Sequence, residues 1–317
     1  MGPNRVVITG IGMIAPLGAT AHECARAWRE GRSAARQPLP ELNGTPLEDI
    51  GVATLPSIKA AERLGSRRML KYMSDAALLG CLAGRDALEN ASAKARFSQE
   101  RVGLYAGTGL ATANIDEVRA MVEASIDERG RFSCRLLGKQ GLAATNPLLS
   151  FKILANMPPC LISIIEGIKG PNLVFTPWEG QTGAALLEAW KAVASGEVDC
   201  ALAGAADNAA HPATFVYLHQ AGLLRRDEYP ASGAAYLVFE KLETARRDEK
   251  HVYAQIENVS LFPCEEGVHD PLSGQMGRTF AAAPAILLGL KSMEGGGRLS
   301  ICGVDRQRVE IELRAPS

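Results

Sequence analysis

A chain of 317 residues that is 47% hydrophobic but only 5% aromatic can bury an extensive core of Ala, Leu, Val and Ile, which suits an α/β protein and excludes a disordered one. The formal net charge of -1, from nearly balanced acids and bases without a basic block, removes the electrostatic case for nucleic acid and leaves room for a small anionic ligand. No apolar run approaches the ~20 residues that cross a bilayer. The N-terminal stretch enters a strand without a charged-then-apolar signal, so a soluble, cytoplasmic setting is expected. The cysteines Cys24, Cys81, Cys134, Cys160, Cys200, Cys264 and Cys302 are scattered, with no CxxC pair and no metal-ligand spacing to a histidine. They are expected to be buried free thiols in a reducing compartment, and neither a metal nor a cofactor is implied.

Residues Arg5 to Thr9 form a buried-type strand, followed by a turn-rich loop with Gly10, Gly12, Pro16 and Gly18 and then a helix from about Thr20 to Glu30. The loop lacks the third glycine of a dinucleotide fingerprint at the right spacing. Arg32 to Pro56 is Pro/Gly-rich and aperiodic, a surface excursion. Met69, Tyr72, Met73, Ala76, Leu79 and Ala83 recur at helical steps, predicting one helix from Arg67 to Asn90. Val102 to Ala106 is a second buried strand, ending in Gly107-Thr108-Gly109. Prolines 147, 158 and 159 interrupt the next segment.

The most informative stretch runs from Gly167 to Asp207. A short strand, Leu173 to Thr176, turns sharply through Trp178, Glu179 and Gly180 into an Ala-rich helix that closes at Ser195-Gly196, and Cys200 to Ala203 follows as another strand. A strand turning tightly into a helix is where an enzyme exposes a nucleophile beside the positive end of a helix dipole. No nucleophile stands at this turn. Further strands are expected over Ala234 to Phe239, Val252 to Leu261, Arg298 to Cys302 and Arg308 to Leu313, with an Ala-rich helix from Gly274 to Leu290. Alternating strands and helices predict a mostly parallel sheet covered by helices on both faces.

Several segments together resemble the β-ketoacyl synthases, condensing enzymes of the thiolase fold. RVVITGIGMIAPLG is similar to their opening strand and loop, NPLLSFKILANMPPCLISIIEGIKGPN to the segment before their nucleophile, SGEVDCALAGAAD to the strand after it, and GAAYLVFEKLETARR to the close of their first half. The resemblance implies a layered α-β-α-β-α fold with a complete N-terminal half, residues 1–250, and a truncated C-terminal half, residues 251–317, packed as one globular unit. It also implies a cysteine at the elbow to take the acyl chain and two histidines to promote decarboxylation. Here the nucleophile position falls on Glu179, with Trp178 and Gln181 as neighbours. The segment SGQMGRTFAAAPAILLGL is similar to the second-histidine segment, with Gln275 in the histidine's place. The first-histidine block is missing between Leu261 and Pro271, and His269 beside the gap reads as a solvated loop residue.

With the three catalytic positions replaced, the resemblance points to a catalytically degenerate, chain-length-factor-like homologue. In type II polyketide and aryl-polyene systems such a subunit heterodimerises with an active ketosynthase, helps wall its acyl tunnel, and meets the acyl carrier protein only indirectly. The pairing strand would be Leu173, Val174, Phe175 and Thr176, an aggregation hazard if left unpaired. Ile115, Val118 and Met121 would wall the tunnel by analogy. The alternative is a malonyl-thioester decarboxylase of the glutamine-for-cysteine type, in which Gln181 would matter. Glu179 could instead cap its helix, bond across a dimer interface or act as a general acid or base, and Trp178 could plug the old acyl pocket or simply pack in the core.

Overall fold

The computed structural model describes residues 4–65, 67–225, 227–265 and 267–316. Ten strands are formed: β1 (Val6–Ile14), β2 (Arg36–Gln37), β3 (Val52–Ala53), β4 (Val102–Thr108), β5 (Asn172–Phe175), β6 (Cys200–Asn208), β7 (Ser232–Lys241), β8 (Ala254–Pro263), β9 (Gly297–Cys302) and β10 (Gln307–Arg314). The helices that position the site are α1 (Ala21–Arg29), α2 (Asp75–Asn90), α3 (Ile115–Glu123), α4 (Met157–Glu166), α5 (Glu179–Ser195), α6 (Pro212–Gln220) and α7 (Ala283–Met293).

Eight strands make one sheet in the order β5-β4-β6-β7-β1-β8-β10-β9, and β2 and β3 form a separate ribbon. The expected mostly parallel sheet is corrected. Only β4 runs parallel to its neighbours, β5 and β6, and the pairs β6/β7, β7/β1, β1/β8, β8/β10 and β10/β9 are antiparallel. Strand β1 meets β8 over Val6 to Ile8 alone, so the sheet can fold around α5 and α7 at that seam. Helices α2 and α4 cover the outer face of the β4-β6-β7 portion with an apolar layer that includes Leu82, Ile162 and Tyr236. On the inner face, α5 and α7 lie in a second core with Leu186, Ile286, Val309 and Ile311, closed on the far side by β8, β10 and β9. Outward-facing Glu257, Asn258 and Glu312 of those last strands are exposed. Strands β8 and β10 therefore present a solvated outer face.

Three local expectations change. The glycines after Thr9 are part of β1, which continues to Ile14. They are required by close packing, because a Cβ at Gly10 or Gly12 would stand 2.2 Å from the Ala87 carbonyl oxygen or 1.9 Å from that of Ala83, both on α2. The single helix expected from Arg67 to Asn90 is broken: a four-residue turn at Arg67–Leu70 precedes α2, which starts afresh where the Ser74 hydroxyl caps the Ala77 N–H at 3.3 Å. The helix expected from Gly274 is likewise divided, because Gly277 (φ 80°) and Phe280 (φ 41°) leave helical space. α7 begins only at Ala283, with Pro284 in its first turn.

The thiols also differ from expectation. Cys264 and Cys302 form a disulfide, Cys134 is exposed and Cys160 partly so, while Cys24, Cys81 and Cys200 are buried and free. Burial pushes the Cys24 and Cys81 thiols up to about 12, which leaves them unreactive. Among the described residues no helix is long and apolar enough to cross a membrane, and no group of three or more His, Cys, Asp or Glu side chains is placed to hold a metal ion.

Candidate functional site: a filled nucleophile elbow

Edge strand β5 delivers the chain through Thr176, Pro177 and Trp178 into α5. Trp178 is the N-cap in extended conformation, and Glu179 is the first helical residue. The short turn and the helix directed into the core bury the Glu179 side chain completely, at 0% exposure. Its Oε1 accepts a hydrogen bond from Arg278 Nη2 at 2.7 Å, and its Oε2 accepts from the Val304 backbone N–H at 3.3 Å. A carboxylate sits well at a helix N-terminus, but burial there requires a counter-charge.

Arg278 supplies it. This residue is 1% exposed and is held in the segment between Gly277 and α7 by backbone bonds to Tyr229 and Ala231. Besides Glu179, its Nη1 lies 3.3 Å from Glu228 Oε1 and its Nε 3.3 Å from Asp270 Oδ2. The last contact is an ion pair without hydrogen-bond alignment, as Nε and Oδ2 are buried atoms lacking an aligned partner. The guanidinium stands 4.6 Å from the centre of the Phe280 ring, a favourable face for a cation. Burial works against the charge of Arg278, but Glu179, Asp270 and Glu228 outweigh it and hold the guanidinium protonated. Burial pushes the Asp270 carboxyl up to about 6, with Arg278 pulling the other way. Asp305, in the turn beside Val304, is raised by burial first and then by the charge of Glu179. Asp207, at the end of β6, is pushed by burial up to about 8, although its Oδ2 accepts from the Ala281 N–H at 3.1 Å.

Trp178 lies against Phe280, with ring centres 6.0 Å apart, in a cluster with Ala209, Leu218 and Val304. Gly303 is needed where this cluster meets α5, since a Cβ there would approach the Glu179 Cβ to 2.8 Å. The elbow is thus filled by an ion cluster below and two aromatic rings above. Among the described residues the groups hydrogen-bonded to the Glu179 side chain are the Arg278 guanidinium and the Val304 N–H, an arrangement that offers charge pairing.

The remaining sequence candidates fall into place unevenly. Gln275 does not reach Glu179: it sits in the one-turn helix Ser273–Met276, and its side-chain oxygen is buried without a hydrogen-bond partner. The residue of this segment that meets Glu179 is Arg278, three residues on. Gln181 lies partly exposed within the first turn of α5. Leu173, Val174 and Phe175 lie on the edge strand β5 and Thr176 just beyond its end; among the described residues β5 pairs with β4 alone, and Leu173 is 43% exposed. Ile115, Val118 and Met121 are half-buried on α3, which packs on the segment 137–144. A cavity of about 110 Å³ at the ends of β4 and β6 takes Asn114 and Glu117 from this helix, together with Thr108, Lys152 and His211. Ile115 borders only the neighbouring depression, and Val118 and Met121 line neither.

A mixed sheet folded around a central helix, with a sharp elbow at that helix's N-terminus, is the architecture of the thiolase-like condensing enzymes. Two solved structures have the same fold over this chain. The ishigamide ketosynthase/chain length factor superimposes with a TM-score of 0.79 at 16% identity, covering 100% of both chains. A type II polyketide synthase acyl-carrier protein in complex with its ketosynthase matches with a TM-score of 0.78 at 14% identity, covering 99% of this chain and 100% of that one. The chain belongs to the β-ketoacyl synthase family, whose N-terminal domain model matches residues 3–236. The 3-oxoacyl-[acyl-carrier-protein] synthase 2 of Vibrio harveyi is 23% identical to it over 275 residues, which is 81% of this chain and 62% of that protein.

Proposed function

We propose that this protein is a non-catalytic, chain-length-factor-like subunit that heterodimerises with an active β-ketoacyl synthase in polyketide, aryl-polyene or fatty-acid-type biosynthesis, stabilising its partner and helping to shape the acyl tunnel. In this reading Glu179 occupies the place of the nucleophile and Arg278 that of a catalytic histidine, the first within a ketosynthase-like N-terminal half (1–250) and the second within a C-terminal part (251–317). The observation that carries it is the buried Glu179–Arg278 pair at 2.7 Å. A thioester cannot form on that carboxylate in the way it forms on a cysteine thiolate, and the pair with its aromatic cover occupies the space an acyl chain would need.

The sheet edge supports the partnership. Among the described residues β5 leaves one side of its backbone unpaired, and Leu173 on it is 43% exposed. An apolar edge of this kind favours aggregation unless a strand covers it, and a ketosynthase bringing its own edge strand would do so. Co-expression with an active ketosynthase, followed by size-exclusion chromatography, tests the proposal. A stable 1:1 complex is expected; a stable monomer indifferent to such a partner refutes it.

A further inference from the structure

The loops that close over Glu179 and Arg278 are joined to one another. Cys264 follows the end of β8 and Cys302 is the last residue of β9; their disulfide spans 38 residues of sequence with a Cα separation of 6.1 Å, a normal span for such a bond. One loop, continuing from Cys264, brings Asp270 to within 3.3 Å of Arg278 Nε. The other, continuing from Cys302, brings the Val304 N–H to Glu179 Oε2 at 3.3 Å. Backbone bonds reinforce the junction: His269 and Cys302 exchange N–H···O contacts of 3.0 and 2.9 Å, and the Cys264 N–H donates to the Arg306 carbonyl at 2.8 Å. Each loop hands one group to one member of the buried pair, and the covalent bond sits where the two loops cross.

From this placement we propose that Cys264–Cys302 is a redox-sensitive tie that locks the cover of the filled elbow and is opened by dithiol reductants. One thiolate of the reductant attacks a sulfur of the bond and releases the other cysteine as a thiolate, which takes up a proton. The reductant's second thiol then resolves the mixed disulfide, leaving two protein thiols and an oxidised reductant, a two-electron exchange. Both cysteines are 4% exposed, so attack follows a local opening of the loop, whose flanking residues Glu265 and Gly267 are exposed. The two His269–Cys302 backbone bonds remain after reduction, so the loops loosen without unfolding the sheet.

Peptide mapping of the unreduced, alkylated protein, combined with hydrogen exchange and thermal melting with and without dithiothreitol, tests this. A Cys134→Ser background removes the exposed thiol as a source of intermolecular bonds. A linked Cys264–Cys302 peptide is expected. Reduction should raise exchange at Val268–Leu272 and Gly303–Arg306 while leaving α2 and β4 unchanged, and should lower Tm by about 5 °C. A Cys302→Ser variant should melt with the reduced protein and ignore dithiothreitol; if it fails to fold, reduction of the native protein supplies the same comparison. Alkylation of both cysteines in the unreduced protein, or a linked peptide whose reduction changes neither exchange nor Tm, overturns the proposal. Neither result bears on partnership with a ketosynthase.

Discussion

Replacing Arg278 by Gln should be the most damaging single change to the elbow. Arg278 is the shared counter-charge of Glu179, Glu228 and Asp270, and Gln of similar length removes the cation while leaving three acids facing one another. Breaking a buried pair by removing one partner costs about 3–5 kcal/mol, which for a chain of this size corresponds to a fall in Tm of roughly 5–8 °C. Glu179→Gln should cost far less, about 1–2 kcal/mol, because the amide oxygen still accepts from Nη2 and Arg278 keeps its other two carboxylates. The deficit of Arg278→Gln should shrink as pH falls. Asp270, already raised to about 6 by burial, loses with Arg278 the charge that pulls it back down, so its folded pKa lies further above the unfolded one and acid relieves the cost. Urea melts at about pH 8 and about pH 5.5 measure both effects. A loss under about 1 kcal/mol at pH 8, or equal losses for the Arg278 and Glu179 variants, would refute the shared-cation argument.

Three further outcomes follow from the same geometry. Asp207, raised by burial to about 8 from an ordinary value near ~3.9, holds a proton in the fold that the unfolded chain releases. Its contribution is therefore complete below about pH 4 and lost as pH rises to about 8, and Asp207→Asn, which keeps an acceptor for the Ala281 N–H, should flatten the decline of Tm over that range; an unchanged slope would count against it. Trp178→Ala should open space beside Phe280 and lower stability by about 2 kcal/mol without giving any condensation product, whereas recovered acyl transfer would overthrow the reading of the elbow. Leu173→Lys, on the exposed sheet edge, should change the stability of the isolated chain by less than about 0.5 kcal/mol yet abolish co-elution with a ketosynthase; retained co-elution would place the interface elsewhere.

The elbow itself could be read from the chain because its signals are local. A β-branched and aromatic strand, a turn at Trp178-Glu179-Gly180 and a helix closed by a left-handed Gly196 lie within one short stretch. What stayed hidden depends on distance along the chain. The partner of Glu179 is 99 residues away, and helical periodicity does not reveal that Gly277 and Phe280 break the Ala-rich run that follows. Strand direction has no signature in alternating hydrophobicity, so the antiparallel β6-β7-β1 pairing is not legible in the sequence. Gly10 and Gly12 look like loop glycines by composition and are in fact strand residues admitting the backbone of α2. The Cys264–Cys302 bond is likewise a product of tertiary proximity, since their spacing carries no motif.

This chain spans 61–63% of the length of the curated relatives it matches. Under the proposed reading the elbow is a packed site that takes no acyl group. Native mass spectrometry of the chain co-purified with an active ketosynthase, after exposure to an acylated carrier protein, tests this most directly. The expected spectrum is a 1:1 heterodimer in which the acyl mass resides on the ketosynthase alone; a covalent acyl adduct on this chain, or two species that never associate, would contradict it.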